Sequence, residues 1–278
     1  MYLLNGETKH CIEFSDRGFQ YGDGLFETIE VLNGIPVFLN QHLQRLSKGC
    51  KKLLIPIPDI EIFRKEAFQL AQSSASKQAV LKLIVTRGSG GRGYRQPEII
   101  HPTRLFSLHP FPDYPESYKQ QGINIRFCNT RLGINPTLSG IKHMNRLEQV
   151  VARSEWNSSE IQEGLMLDIN GNIIEGTMSN IFLVKENILY TPTIEQCGVE
   201  GIVRNIVISE AQKNQVYIVE KTLSKEDIKS ADELFVTNSI IGIWPVKQLK
   251  EQRYAIGPLT QHLQKLLLAF RQEDIHAC

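Results

Sequence analysis

Lys142, in the run Gly140-Ile141-Lys142-His143-Met144-Asn145-Arg146-Leu147-Glu148-Gln149, is the residue of this chain best suited to covalent chemistry. An extended stretch, residues 122–128, and an Arg/Asn/Pro-rich loop precede it, and a helically patterned segment follows. A lysine at such a junction is expected to be part-buried beside a helix N-terminus. Desolvation and the positive dipole end both disfavour its ammonium form, and a neutral amine in a pocket is what Schiff-base chemistry requires. Alone, the residue reads better as a surface lysine in a helix-entry loop, so its significance depends on which other groups the fold supplies. The glycine-rich run Arg87-Gly88-Ser89-Gly90-Gly91-Arg92-Gly93-Tyr94 lacks the GxxxxGK[ST] pattern of a phosphate-binding P-loop. A flexible loop presenting arginines to carboxylates suits it better.

The elements that must position these groups are readable from periodicity and turn chemistry. Residues 25–31 and 35–38 are β-rich and flank Asn33-Gly34, the favoured type I′ pair, so residues 25–39 read as a hairpin. Leu39, Leu43, Leu46, Cys50 and Leu53 then follow helical spacing. Asp59 caps a second helix reaching about Ala71, and residues 79–86 and 103–108 read as strands. A proline-rich segment over residues 109–115 reads as a link between domains. Beyond it come a strand at 123–127, a helix at 143–155 with Leu147, Val150, Val151 and Ser154 on one face, and strands around residues 165–168, 173, 180–184 and 188–190. Helices near 202–212 and 259–270 flank a strand at 233–236, and Pro258 suits the first position of the last helix. Short turns between antiparallel-looking strands favour an α+β protein over a doubly wound parallel sheet. The expected division is an N-terminal α+β domain (1–110), a linker (111–121) and a C-terminal α/β domain (122–278) carrying Lys142.

Composition narrows the function classes. The chain has 278 residues, 41% hydrophobic and 22% charged, with 31 basic against 30 acidic side chains. That balance asks for neither nucleic acid nor an anionic membrane. No apolar run nears the roughly 18 residues of a membrane span, and no charged n-region with an h-region signals secretion. Cys11, Cys50, Cys128, Cys197 and Cys278 are scattered and odd in number, which fits a reducing cytoplasm. The seven histidines, at 10, 42, 101, 109, 143, 262 and 276, form no metal-ligand spacing, so no metal is expected.

Five segments stand in the order seen in fold-type IV pyridoxal-phosphate enzymes, and the chain resembles that family over nearly its whole length. They are Asp16-Arg17-Gly18-Phe19-Gln20-Tyr21-Gly22-Asp23-Gly24-Leu25-Phe26-Glu27-Thr28, His42-Leu43-Gln44-Arg45-Leu46, the glycine-rich run, the Lys142 run, and Glu175-Gly176-Thr177-Met178-Ser179-Asn180. The family includes branched-chain and D-amino acid aminotransferases and 4-amino-4-deoxychorismate lyases. The glycine-rich and Lys142 runs are similar to the lyases. The resemblance implies a two-domain α+β fold with the cofactor site between domains, pyridoxal 5′-phosphate as cofactor, and Lys142 as its Schiff-base lysine. It implies further that Glu175 meets the pyridine nitrogen. Arg45, the helix start Gly201-Ile202-Val203 and the turn at Ser239 and Ile240 would hold the phosphate, and Asn180 would support nearby backbone. Arg92, Tyr94 and Arg87 are then expected at substrate carboxylates. Thr28 is expected to assist proton delivery or to steer the substrate ring, since the aminotransferases tend to carry glycine or an aliphatic residue there. The implied activity is conversion of 4-amino-4-deoxychorismate to 4-aminobenzoate and pyruvate in folate precursor synthesis. The alternative is D-amino acid or branched-chain amino acid transamination. A small-molecule substrate and a homodimer are implied as partners.

Overall fold

The computed structural model describes residues 1–9, 11–57 and 59–277; His10 and Cys278, counted above, and Pro58 lie outside them. Two compact units divide the chain. One comprises residues 1–112, 141–145 and 273–278, the other residues 113–140 and 146–272. The first contains β1 (Tyr2–Leu4), α1 (Arg17–Tyr21), β2 (Gly24–Leu32), β3 (Ile35–Pro36), α2 (Leu39–Lys52), α3 (Ile60–Gln72), β4 (Gln78–Thr86) and β5 (Thr103–Pro110). Its strands form an antiparallel sheet in the order β1-β5-β4-β2-β3.

The β2–β3 turn is built as its sequence requires, with positive φ at Asn33 (51°) and Gly34 (78°). Along β2, Leu25, Glu27, Ile29 and Val31 are buried, whereas Phe26 and Thr28 on the opposite face are half-buried. Helix α2 buries Leu39, Leu43, Leu46 and Cys50, and with them His42. The Asp59 carboxylate caps α3 by accepting from the Glu61 N–H at 3.0 Å. Phe63, Leu70, Leu81, Leu83 and Phe106 complete this core.

The second unit begins with α4 (Ser117–Gln121), β6 (Ile123–Leu132), α5 (Leu147–Arg153), β7 (Glu163–Asp168), β8 (Ile173–Gly176), β9 (Asn180–Lys185) and β10 (Ile188–Thr191). It continues with α6 (Ile202–Lys213), β11 (Ile218–Glu220), α7 (Lys225–Lys229), β12 (Glu233–Asn238), β13 (Gly242–Leu249), β14 (Gln252–Arg253) and α8 (Pro258–His276), the last turn of which is grouped with the first unit. The sheet order is β11-β10-β9-β12-β13-β6-β7-β8, with β14 on β13. Among the described residues, only the strand pairs β10/β11, β13/β6 and β6/β7 run parallel, giving a mixed sheet in an α+β architecture. Ile123, Leu165, Leu183, Leu234 and Trp244 lie in its main core.

Three expectations change. The expected linker, residues 111–121, is packed: Tyr114 and Tyr118 set their rings edge-on against Trp244 at 4.8 and 5.2 Å. The helix expected over 143–155 is α5 alone, and its apolar face is not a core face. Ala152 is buried while Leu147, Val150 and Val151 remain 77%, 61% and 52% exposed. Lys142, expected in the C-terminal domain, packs within the first unit. No helix among the described residues is long and apolar enough to cross a membrane.

Candidate active site

Lys142 reaches its place by strand-like pairing with β2. The Phe26 N–H donates to the Lys142 carbonyl at 3.0 Å and the Met144 N–H to the Gly24 carbonyl at 2.9 Å, with a bridge between Leu25 and His143. Glycine is needed at position 24, because a Cβ there would sit 2.4 Å from the Val85 carbonyl oxygen and 2.9 Å from Met144 Sδ. The half-buried Lys142 side chain points Nζ at the Phe26 ring, 4.3 Å from its centroid. Phe26 shares its face of β2 with Thr28, so the amine and the hydroxyl lie toward one face. The expected helix dipole at Lys142 is not there. Helix α5 starts at Leu147 with Arg146 as its cap residue.

On the other face of β2, α2 presents His42 and Arg45, one helical turn apart, to the buried Glu27 carboxylate. Arg45 Nε donates to Oε1 at 2.9 Å and Nη2 donates to Oε2, which also meets His42 Nδ1 at 2.6 Å. Burial pushes the Glu27 carboxyl up, but the Arg45 charge and hydrogen bonds, with those of His42, overcome it and bring the group down to about 2. Burial lowers His42, against Glu27 and with help from the charges of Arg45 and Lys142. A neutral imidazole beside an anionic carboxylate carries its proton on Nδ1. The buried Nε2 then has an unused lone pair, with no partner among the described residues.

The second unit carries its own cluster. Glu175, buried on β8, accepts from the Val199 N–H at 2.8 Å and from Gln149 Nε2 at 3.4 Å. Asn180 Nδ2 donates to the Val199 carbonyl at 2.9 Å, so Glu175 and Asn180 hold both polar groups of one residue. Gly201 is the cap residue of α6 and no side chain caps that terminus. This leaves the first-turn N–H groups, including those of Ile202 and Val203, suited to an anion. A Cβ on Gly201 would lie 1.9 Å from Asn180 Oδ1, so only glycine fits there. At the turn after β12, Ser239 is half-buried and the Ile240 N–H donates to Asn238 Oδ1 at 2.9 Å. That bond engages the Ile240 amide, which the resemblance assigns to the phosphate. Thr237 beside it is fully buried, and its hydroxyl has no partner among the described residues.

The glycine-rich loop divides its arginines. Arg87 is buried and committed: Nε and Nη2 grip Asp23 at 2.8 and 2.9 Å, while Nη1 and Nη2 donate to the Leu54 and Leu53 carbonyls. It ties loops together, which corrects its assignment to substrate. Arg92 and Tyr94 are exposed, Tyr94 to 89%. The loop is anchored by Arg17, which donates to the Gly93 carbonyl at 2.9 Å and to the Gly90 and Arg95 carbonyls at 3.4 Å. Glu27, His42, Gln149, Thr237 and Arg17 were not assigned from sequence. The i, i+3 spacing of His42 and Arg45 was a readable signal of a shared partner; the other four rely on tertiary neighbours.

Comparison with known proteins gives this geometry a context. A model of the amino-transferase class IV family matches residues 24–249. An aminodeoxychorismate lyase of Vibrio harveyi is 33% identical over 95% of this chain and 98% of its own length. A D-alanine aminotransferase of Bacillus licheniformis is 28% identical over 95% of both chains. The crystal structure of 4-amino-4-deoxychorismate lyase from Pseudomonas aeruginosa superposes with a TM-score of 0.93 at 42% identity, covering 97% of this chain and 98% of that one. The chain, with its Lys142 paired to β2 and its Glu175 buried on β8, belongs to the class IV aminotransferase family of pyridoxal-phosphate enzymes.

Proposed function

We propose that this protein is a pyridoxal-phosphate-dependent 4-amino-4-deoxychorismate lyase, releasing 4-aminobenzoate and pyruvate in folate biosynthesis. The observation that carries the reading is the placement of the Lys142 amine over Phe26, toward the face of β2 that bears Thr28. Likeness to two lyases at 33% and 42% identity supports it. Each unit offers groups suited to the cofactor's phosphate: Arg45 in the first, and in the second the uncapped start of α6, Ser239 and the Thr237 hydroxyl, which has no partner among the described residues. Glu175 is the carboxylate for the pyridine nitrogen.

Pyridoxal phosphate, when bound, supplies an aldehyde for amines and a ring that takes up electrons. Lys142 would hold the cofactor through its amine and, once the substrate amine takes that place, would remove the proton from the ring carbon bearing that nitrogen. Glu175 would hold a proton at the pyridine nitrogen. The enolpyruvyl C–O bond then breaks and the carbocycle becomes aromatic. Lys142, directly or through the Thr28 hydroxyl, returns a proton to the departing three-carbon fragment. Arg92 and Tyr94 meet the substrate carboxylates. The enzyme acts in the cytoplasm as a homodimer.

A second reading, amino-acid transamination, is favoured by the D-alanine aminotransferase likeness. Pyruvate release from freshly made aminodeoxychorismate, with and without added keto acid, separates the two. The lyase releases pyruvate without keto acid, and Lys142→Ala stops it. Turnover that requires a keto acid would reject the lyase assignment.

A further inference from the structure

Glu163, the first residue of β7, is 1% exposed and anionic chemistry is not its evident purpose. Its carboxylate accepts from five neutral donors. Oε1 receives the N–H groups of Gly164 (2.8 Å) and Thr177 (3.0 Å) and the Thr177 hydroxyl (2.6 Å). Oε2 receives the Met178 N–H (3.3 Å) and the Ser179 hydroxyl (2.6 Å). Four of these five donors lie in residues 177–179, the turn that leaves Glu175-Gly176 and enters Asn180. The turn is closed by the Gly176 N–H on the Ser179 carbonyl at 2.6 Å. It is also filled: a Cβ on Gly176 would meet Ser179 Oγ at 2.3 Å and Glu163 Oε2 at 2.7 Å. Removing a charge from water to bind only neutral donors is costly unless its geometry is fully satisfied, and here four of the five donors fix one short piece of chain.

We propose that Glu163 is a positioning residue. It sets the turn between Glu175 and Asn180, and through that turn the aim of the Glu175 carboxylate at the pyridine nitrogen. The inference rests on the cofactor reading above. An amide at position 163 cannot substitute. Its NH2 would face either the Gly164 and Thr177 N–H groups or the Met178 N–H. Hydroxyls can turn to accept, but backbone N–H groups cannot. The turn must therefore shift, and Glu175 shifts with it.

The test uses pyridoxamine 5′-phosphate and its 1-deaza analogue, which lacks the ring nitrogen; neither can form a Schiff base with Lys142. Binding to the purified protein is read by tryptophan fluorescence or equilibrium dialysis. Wild type is expected to prefer the nitrogen-bearing ligand by about tenfold or more, the scale of a hydrogen bond to a charged group. Glu163→Gln should bring that preference to within about twofold, as Glu175→Gln should, while leaving affinity for the deaza analogue near wild type. Ser179→Ala, which removes one hydroxyl donor and keeps the carboxylate, should lower the preference part-way and serves if Glu163→Gln does not fold. Equal loss for both ligands, or an unchanged preference, would overturn the positioning role. Failure of the wild type to bind either ligand would overturn the cofactor reading, and this inference with it.

Discussion

Glu27 shows how a single carboxylate governs the cationic side of the site. It is fully buried, and removing its charge would leave Arg45 without its main compensating anion, a change that typically costs about 3–5 kcal/mol in buried pairs. Its carboxyl lies at about 2 in the fold against an ordinary 4.5. The stabilisation is therefore whole above pH 4.5 and is lost as pH falls toward 2. His42 acts in the same direction. Held neutral by burial, it resists the proton that the unfolded chain accepts below about pH 6.5. Glu27→Gln should lower stability at pH 7 by on the order of 3 kcal/mol and reduce the further loss between pH 5 and pH 3. Urea midpoints of both proteins at these pH values check this, and identical acid sensitivity would contradict the coupling.

At the scale of elements, the sequence revealed what local chemistry determines. The Asn33-Gly34 turn, the α2 stripe and the Asp59 cap stand where spacing put them. Lys142 did not follow its local pattern, because the partner of residues 142–144 is β2, more than a hundred residues earlier in the chain. Helical periodicity at Leu147, Val150 and Val151 was real, yet it marked an exposed face. The glycine-rich loop is a further case where tertiary structure decides. Glycines with positive φ at 88, 90, 91 and 93 make it pliable, and Arg17 restrains it through backbone carbonyls that no motif discloses. Arg17→Ala should free residues 90–95, raising their amide exchange and protease cleavage. It should also raise the KM for a dicarboxylate substrate about tenfold with little change in kcat, as lost ground-state binding would. An equally protected loop in the variant would show that the anchor lies elsewhere.

For the molecule as a whole, fold class and family were legible because five short runs keep one order along the chain. The division of labour was less so. Lys142 packs in one unit and Glu175 in the other, and Arg87, similar in composition to Arg92, turned out to be a buried tie. Two lysines approach the Phe26 ring: Lys142 Nζ at 4.3 Å and Lys82 Nζ at 5.6 Å from its centroid. Both lie within reach of a cofactor aldehyde at that ring, and only one is expected to take it up. Incubation with pyridoxal phosphate, reduction with borohydride and peptide mass mapping identify it. A pyridoxyl group on the peptide bearing Lys142, absent after Lys142→Ala, is the result expected; a label on Lys82, or on no lysine at all, would contradict it.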